Sequence, residues 1–259
     1  MCYDDQARPP VPPGANGAAR GAEIELTAAD GNRFAAYLAT PEVAPTAHVL
    51  IFPDVRGLHQ FYKELALRFA QTGIAAIAMD YFGRTAGIGA RDETFEFMPH
   101  VQQLMLPTVF ADATAALTHL REQAAAQASS FTVGFCLGGT LSFLSGTQDL
   151  GLAGVVGFYA GMSRSMDGRG TLLERAPEIR TPALGLFGGA DQGIPVAQVQ
   201  AFDQALDATG IEHDIVTYPG APHSFFDRRS EEFAEASADA WTRVLHFVAA
   251  HTRMAAAER

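Results

Sequence analysis

A single cysteine stands at the centre of a glycine-rich segment, residues 134–139, which reads GFCLGG. The spacing G-x-C-x-G is that of a nucleophile elbow, a sharp strand-to-helix turn, with cysteine in the usual place of serine. Small flanking residues are needed because bulkier ones would clash in so strained a turn. The pattern predicts that Cys136 is a nucleophile and that the N–H group of Leu137 stabilises an oxyanion. Taken alone, it fits a buried structural cysteine equally well.

An aspartate and a histidine each follow a later apolar run of the sequence. Asp191 comes after residues 183–187, and His223 comes after residues 213–218. A carboxylate can orient a histidine, which in turn can remove a proton from a thiol. Asp191 could instead cap a turn or a helix, and a lone loop histidine is usually just exposed. The order nucleophile, acid, histidine favours the catalytic interpretation, because α/β-hydrolases use that order.

Short apolar runs that alternate with helical patterns must position these side chains. Strands are predicted at residues 23–27, 33–39, 47–52, 74–79, 131–135, 153–159, 183–187 and 213–218. Helices are predicted at residues 61–72, about 107–126, from about 139, 196–208 and 230–250. We therefore expect a mostly parallel central sheet with helices on both faces and an N-terminal antiparallel hairpin. Sites in such sheets form at the carboxyl ends of the strands.

The composition predicts a globular protein with a substantial core. Of the 259 residues, 48% are hydrophobic and 18% are charged, which excludes a disordered chain. Residues 1–20 are rich in proline, glycine and polar side chains, so we expect a tail there and a single α/β-hydrolase domain at 21–259. The net charge of −11 makes a nucleic-acid partner unfavourable, because the chain would repel phosphates.

The sequence lacks the motifs that would indicate export, a membrane span, a metal site or a bound nucleotide. The sequence has no signal-peptide pattern and no apolar run long enough to span a membrane. Its two cysteines, Cys2 and Cys136, do not make a disulfide framework, so we expect a cytoplasmic protein. Neither H-E-x-x-H nor C-x-x-C is present, and we expect no metal and no cofactor. A nucleotide-binding domain is disfavoured, since G-x-G-x-x-G and a P-loop lysine are lacking.

The three segments around Cys136, Asp191 and His223 together resemble the dienelactone hydrolase family, and the resemblance covers the chain from about residue 20. Members are α/β-hydrolases with a Cys-His-Asp triad that open cyclic enol-lactones, and some act on other esters. The resemblance therefore implies the α/β-hydrolase fold and a small ester or lactone as substrate.

The resemblance also assigns roles to the segment that follows the first buried strand. Asp54 matches an acid that helps to deprotonate the thiol in the family, although aspartate is one methylene shorter than the usual glutamate. Val55 matches the residue whose N–H group is the second oxyanion donor. A turn or helix-cap role for Asp54 remains an open alternative.

Substrate-binding residues are implied in the same way. Arg84 matches an arginine that binds the substrate carboxylate, and Phe225 belongs to the motif that begins with His223. The family places a second arginine where this chain has Asp227, so Arg228 is the candidate replacement. Residues 85–101, with several aromatic side chains, are expected to roof the pocket. These departures suggest a substrate less anionic than a dienelactone.

The sequence thus predicts a cysteine-dependent ester or lactone hydrolase that works through an acyl-thioester, as a monomer or a homodimer. A broad carboxylesterase or thioesterase on the same fold is the first alternative. A protein with a reactive thiol but no turnover is the second.

Overall fold

A computed structural model describes residues 5–125 and 127–252, and it contains one eight-stranded sheet. The strands are β1 (Ala19–Thr27), β2 (Arg33–Pro41), β3 (Ala47–Phe52), β4 (Ile74–Met79), β5 (Ser129–Phe135), β6 (Leu152–Phe158), β7 (Ala183–Gly188) and β8 (His213–Tyr218). The helices are α1 (Gln60–Gln71), α2 (Gly83–Ala86), α3 (Met98–Val101), α4 (Leu106–Gln123), α5 (Leu137–Ser145), α6 (Leu172–Arg175), α7 (Val196–Asp207) and α8 (Ala234–His251).

The order of the strands in the sheet is β1-β2-β4-β3-β5-β6-β7-β8. The strands from β4 onward in this order are parallel, whereas β1 and β2 pair antiparallel and β2 pairs antiparallel with β4. This arrangement confirms the predicted mostly parallel sheet with an antiparallel hairpin at its edge. Strands β3, β4, β5 and β7 are buried along their whole length, which is why most of their residues are apolar or small.

Helices cover both faces of the sheet, as two glycines of β6 make clear. A Cβ atom at Gly154 would lie 2.6 Å from the Phe247 ring of α8. A Cβ atom at Gly157 would overlap the Phe143 ring of α5. Residues three apart in a strand point to opposite faces, so α8 and α5 lie on opposite sides of the sheet.

Element boundaries differ from the sequence-based prediction where the apolar pattern is weak. Strand β1 begins at Ala19 rather than at 23, because its first residues pair with β2 at an exposed edge and carry no alternation. Helix α8 begins at Ala234, after turns that end at Phe233, whose φ of −113° and ψ of 44° are not helical. The four-residue helices α2, α3 and α6 are too short to give a helical period. Cys2, Ala126 and residues 253–259 lie outside the described residues.

The segment that precedes β1 contacts the body of the protein. The indole Nε1 of Trp241, in α8, donates a hydrogen bond to the Pro10 carbonyl at 2.9 Å. The N–H group of Gly17 donates to the carbonyl of Gln71, at the end of α1. The division into a tail at 1–20 and one domain at 21–259 stays a prediction. None of the helices described is both long and apolar enough to cross a bilayer.

Candidate active site

Cys136 forms the junction between β5 and α5 in a backbone conformation that is rare outside glycine. Its φ is 55° and its ψ is −115°. Its N–H group donates to the Phe158 carbonyl at 3.0 Å, and its own carbonyl accepts from the Thr140 N–H group at 3.2 Å. A left-handed non-glycine residue of this kind costs about 1–3 kcal/mol and persists only where its surroundings enforce it. Here β6 and the first turn of α5 enforce it, and Cys136 stays half-buried.

Three glycines of the elbow allow α5 to start in close contact with the sheet. A Cβ atom at Gly138 would overlap the carbonyl oxygens of Phe52 and Pro53, and one at Gly134 would overlap the Gly138 carbonyl. A Cβ atom at Gly139 would lie 2.7 Å from the Phe158 oxygen. The sequence pattern G-x-C-x-G-G therefore has a steric cause at each of its glycines.

The carboxylate of Asp191 holds the ring of His223. Its Oδ2 lies 2.6 Å from His223 Nδ1, and its Oδ1 accepts from the N–H groups of Gly193 at 2.8 Å and Ile194 at 3.2 Å. An ionised carboxylate can only accept, so Nδ1 carries the proton and Nε2 is left as the basic nitrogen. The two residues have the contacts that an orienting acid and a general base require.

Close contact between two loops brings Asp191 and His223 together. A Cβ atom at Gly188 would meet the carbonyl oxygens of Ala221 and Pro222. The N–H group of Ala190 donates to the Ala221 carbonyl at 2.9 Å. The loops that follow β7 and β8 therefore form one backbone-bonded unit.

Cys136 and His223 both line one cavity of about 260 Å³. The other lining residues are Val55, Met98, Val101, Leu137, Thr140, Gly161, Arg164, Met166, Gly193 and Ile194. Leu137 is the first residue of α5, and the first four N–H groups of a helix have no partner within that helix. Both residues expected to supply oxyanion donors, Leu137 and Val55, thus border the same cavity as the thiol.

Asp54 lies in the turn after β3 and is almost completely buried. Its Oδ1 accepts the N–H group of Arg56 at 2.9 Å and is 3.5 Å from Nε2 of His59. Asp54 is not among the residues that line the cavity. These contacts are those of a turn-stabilising aspartate, and action on the thiol stays a prediction.

The expectation that Arg84 binds a substrate carboxylate has no support from its position. Its guanidinium is paired with two carboxylates of the protein, Asp30 and Asp112, each at 2.7 Å. Asp112 is fully buried, so its charge needs this partner. Arg84 does not line the Cys136 cavity. The two acids that occupy it are far away in sequence, and the local pattern around Arg84 does not reveal them.

Phe225 and Arg228 are also not brought to the cavity. Phe225 is fully buried, with its ring 5.0 Å from the Tyr218 ring and 5.7 Å from the Tyr159 ring, so it belongs to the core. Arg228 is exposed, and its N–H group donates to the Asp227 carboxylate. The turn at Asp227 therefore directs the chain away from the pocket.

Tyr159, which follows β6 directly, is a neighbour of the histidine that the sequence analysis missed. Its ring centroid lies 4.8 Å from that of His223, and its backbone has a φ of 35°. Its hydroxyl donates to Oδ2 of Asp227 at 2.8 Å, and both residues are buried. Asp227 thus interacts with a tyrosine at the place where the family resemblance implied an arginine. The position of Tyr159 at a strand end was a signal that could have found it.

The cavity has an apolar roof and a single guanidinium at its border. Met98 and Val101 come from the segment that was expected to roof the pocket, and Met166 and Arg164 come from the loop after β6. The exposed Arg164 donates from Nη2 to the Val101 carbonyl at 3.3 Å. Arg164 could not be recognised from the sequence, because no motif in its loop marks a site. No cluster of three metal-ligating side chains occurs among the described residues.

The chain is similar to proteins of a known family. The model of the dienelactone hydrolase family matches residues 34–252. A protein of Methylorubrum extorquens, provisionally named a carboxymethylenebutenolidase, is 30% identical over 239 residues, which cover 89% of this chain and 80% of that one. A carboxymethylenebutenolidase of Pseudomonas putida is 28% identical and is matched over 87% of this chain and 95% of its own.

Solved structures agree with the family match. A crystal structure of a provisionally assigned dienelactone hydrolase from Klebsiella pneumoniae superposes with a TM-score of 0.78 at 27% identity. It covers 90% of this chain and 99% of its own. An acylaminoacyl peptidase of Pyrococcus horikoshii shares the fold alone, with a TM-score of 0.72 at 14% identity over 93% of this chain and 43% of its own.

Gly138→Ala should destabilise the protein by about 3 kcal/mol, since the added methyl overlaps two backbone oxygens that cannot move aside. Urea unfolding would measure the free energy of unfolding. Gly161→Ala is the control, because its Cβ atom would lie 3.8 Å from Thr140 Oγ1, an ordinary contact. Equal stability of the two variants would contradict the steric role of Gly138.

Arg84→Ala should lower the free energy of unfolding by about 3 kcal/mol, because it leaves the buried Asp112 without its charged partner. The KM for an ester substrate should change less than about twofold. Arg33→Ala, which removes an exposed ion pair with Glu25, is the control. If Arg84→Ala instead raised the KM and left the free energy of unfolding unchanged, Arg84 would be a substrate-binding residue.

Proposed function

Because the chain belongs to the dienelactone hydrolase family, we propose that it hydrolyses a small ester or lactone, with Cys136 as nucleophile. The observation that carries the proposal is that Cys136 and His223 line one cavity while Asp191 holds Nδ1 of His223 at 2.6 Å. This leaves Nε2 of the histidine as the base on the side away from the carboxylate. Relatives named carboxymethylenebutenolidase are consistent with this activity.

The first half of the reaction acylates the cysteine. His223 Nε2 takes the proton of the Cys136 thiol, and the thiolate attacks the acyl carbon, because a neutral thiol is a poor nucleophile. The N–H groups of Leu137 and Val55 stabilise the oxyanion, each by about 3 kcal/mol. The imidazolium, which Asp191 stabilises, then gives its proton to the departing alkoxide. In a lactone the alcohol stays attached to the acyl group.

The second half of the reaction releases the acid. His223 Nε2 removes a proton from a water molecule while the oxygen of that water attacks the thioester carbon. The same two N–H groups stabilise the second oxyanion. The carbon–sulfur bond then breaks, the proton returns to the sulfur, and the carboxylic acid leaves. Cys136 and His223 are thereby restored to their starting protonation states.

The lining of the cavity favours an uncharged substrate with an apolar acyl group. Side chains of Val55, Met98, Val101, Met166 and Ile194 border the space beside the thiol. A carboxylate buried among such side chains loses its hydration, which costs several kcal/mol without a counter-charge. Neither Arg84 nor Arg228 reaches this space, while the exposed Arg164 at its border is bonded to a backbone carbonyl.

A broad carboxylesterase or thioesterase is the alternative that this apolar lining favours, and it would use the same residues. The cytoplasmic location and the state as monomer or homodimer stay predictions.

Cys136→Ala should lower kcat/KM for p-nitrophenyl acetate by at least about 10³-fold, because no other group replaces the nucleophile. Cys136→Ser should also be poor, since a hydroxyl needs a stronger base than a thiol does. The control is Cys2→Ala, which changes the only other cysteine of the chain. A burst of p-nitrophenol followed by steady turnover is expected of the unmodified enzyme. A single burst without turnover would favour the reactive-thiol alternative.

Neutral p-nitrophenyl butyrate should be preferred over the p-nitrophenyl monoester of succinate by about tenfold or more in kcat/KM, equal to about 1.4 kcal/mol. The two acyl chains are similar in length and differ in charge. Arg164→Ala should leave kcat/KM for the butyrate unchanged. A preference for the succinate ester that Arg164→Ala abolishes would show that the cavity selects anions.

A further inference from the structure

Asp5, fourteen residues before β1, joins the loop that carries Val55, a residue of the cavity lining, to the loop that leads into the cavity roof. Its Oδ1 accepts a hydrogen bond from Nη1 of Arg56 at 2.9 Å. Its Oδ2 accepts the N–H group of Glu93 at 3.1 Å, and its own N–H group donates to Oε1 of Glu93 at 3.2 Å. One residue therefore bonds to both loops, with both of its carboxylate oxygens and its backbone in use.

The first of these loops carries Val55, whose N–H group is the proposed second oxyanion donor. The next residue, Arg56, is buried, and its side chain is only 1% exposed. Its N–H group donates to Asp54 and its Nη2 lies 3.1 Å from Nδ1 of His59. A buried guanidinium needs a counter-charge, and Asp5 supplies one in the pair that the two form. The loop beside Val55 is thus tied to Asp5 through the buried side chain of its neighbour.

The second loop leads into the roof of the cavity. It turns at residues 92–95, where the Phe95 N–H group donates to the Asp92 carbonyl, and continues into α3. Met98 and Val101 of α3 line the cavity. The hydroxyl of Thr94 and, more weakly, the Arg56 guanidinium lower the pKa of Asp92. The positive charge of Arg56, in the first loop, therefore also stabilises the carboxylate of Asp92, in the second loop.

The residues just after Asp5 are fixed to the body of the protein. Arg8 donates to the Asp5 carbonyl at 3.0 Å and pairs with Glu64 of α1 at 3.3 Å. The Pro10 carbonyl accepts from Trp241 of α8. Asp5 is thus presented to the two loops from a segment that is held at several points.

We propose that Asp5 is a positioning residue, which clamps the oxyanion loop to the pocket roof and so makes the N-terminal segment part of the active site. The inference rests on the proposed function, because the role of Val55 as an oxyanion donor belongs to it. The bonds of Asp5 go to Arg56 and to the Glu93 turn, and it acts on the site through them.

The test compares Asp5→Ala and Asp5→Asn with Glu42→Gln, a matched acid-to-amide change in the exposed Arg20–Glu42 pair. Asp5→Ala should lower kcat/KM for p-nitrophenyl butyrate about tenfold, because a donor displaced by a fraction of an ångström loses much of its effect. The kcat/KM of Asp5→Asn should lie between those of Asp5→Ala and the parent. Its amide oxygen can still accept from Arg56, but its N–H₂ group would face the N–H group of Glu93, and two donors cannot bond to each other. Glu42→Gln should behave as the parent enzyme.

Alkylation of Cys136 by iodoacetamide separates positioning from a general loss of structure. The reaction forms no oxyanion, so its rate in the Asp5 variants should stay within about twofold of the parent even where loss of the Arg56 pair lowers the thermal midpoint. Unchanged kcat/KM in Asp5→Ala would overturn the proposal. So would a parallel fall in alkylation and turnover in both Asp5 variants. Retained turnover in Cys136→Ala would refute the proposed function instead, so the two failures appear in different variants.

Discussion

The contact between the first turn of α5 and the last carbonyl groups of β3 is the constraint on which the rest of the site depends. Gly138 lies against the oxygens of Phe52 and Pro53, and no side chain fits between them. Cys136 adopts its left-handed conformation beside this contact, at the end of β5, and the loop that carries Val55 follows β3 directly. The two backbone groups proposed to bind an oxyanion thus come from neighbouring strands that are packed as closely as backbone allows.

Most of the fold could be predicted from the sequence, because short, mainly apolar runs between helical patterns fit buried parallel strands better than any other element. The edge was less predictable: β1 starts four residues early, where pairing with β2 rather than burial defines the strand. Cys136, Asp191 and His223 were predictable as strand-end residues in the family's order. The position of Arg164 at the cavity border was not predictable, since it depends on loops that meet only in the folded chain. For Tyr159 the strand-end position was a usable signal, but its contact with the His223 ring was not visible in the sequence.

The charges around the site show why residue type alone is a poor guide to substrate binding. Arg84 matches the position of a carboxylate-binding residue, yet Asp30 and Asp112 occupy its guanidinium. Asp227 stands where a second arginine was implied, and the Tyr159 hydroxyl donates to it. In each case the charged group interacts with a partner that is distant in sequence, and that partner determines whether the group is available to bind a substrate. The elbow is different, because its requirements are steric and local, and a pattern of six residues contains them.

The bond between Trp241 and the Pro10 carbonyl joins residues 231 positions apart. During synthesis the segment around Pro10 emerges well before α8, so the bond between them can form only after α8 has been made. His223 is also a late residue, and the cysteine is made long before it. Cys136 is therefore made before His223 and before the bond between Pro10 and Trp241 can form. The proposed chemistry at Cys136 therefore depends on contacts that can form only after α8 has been made.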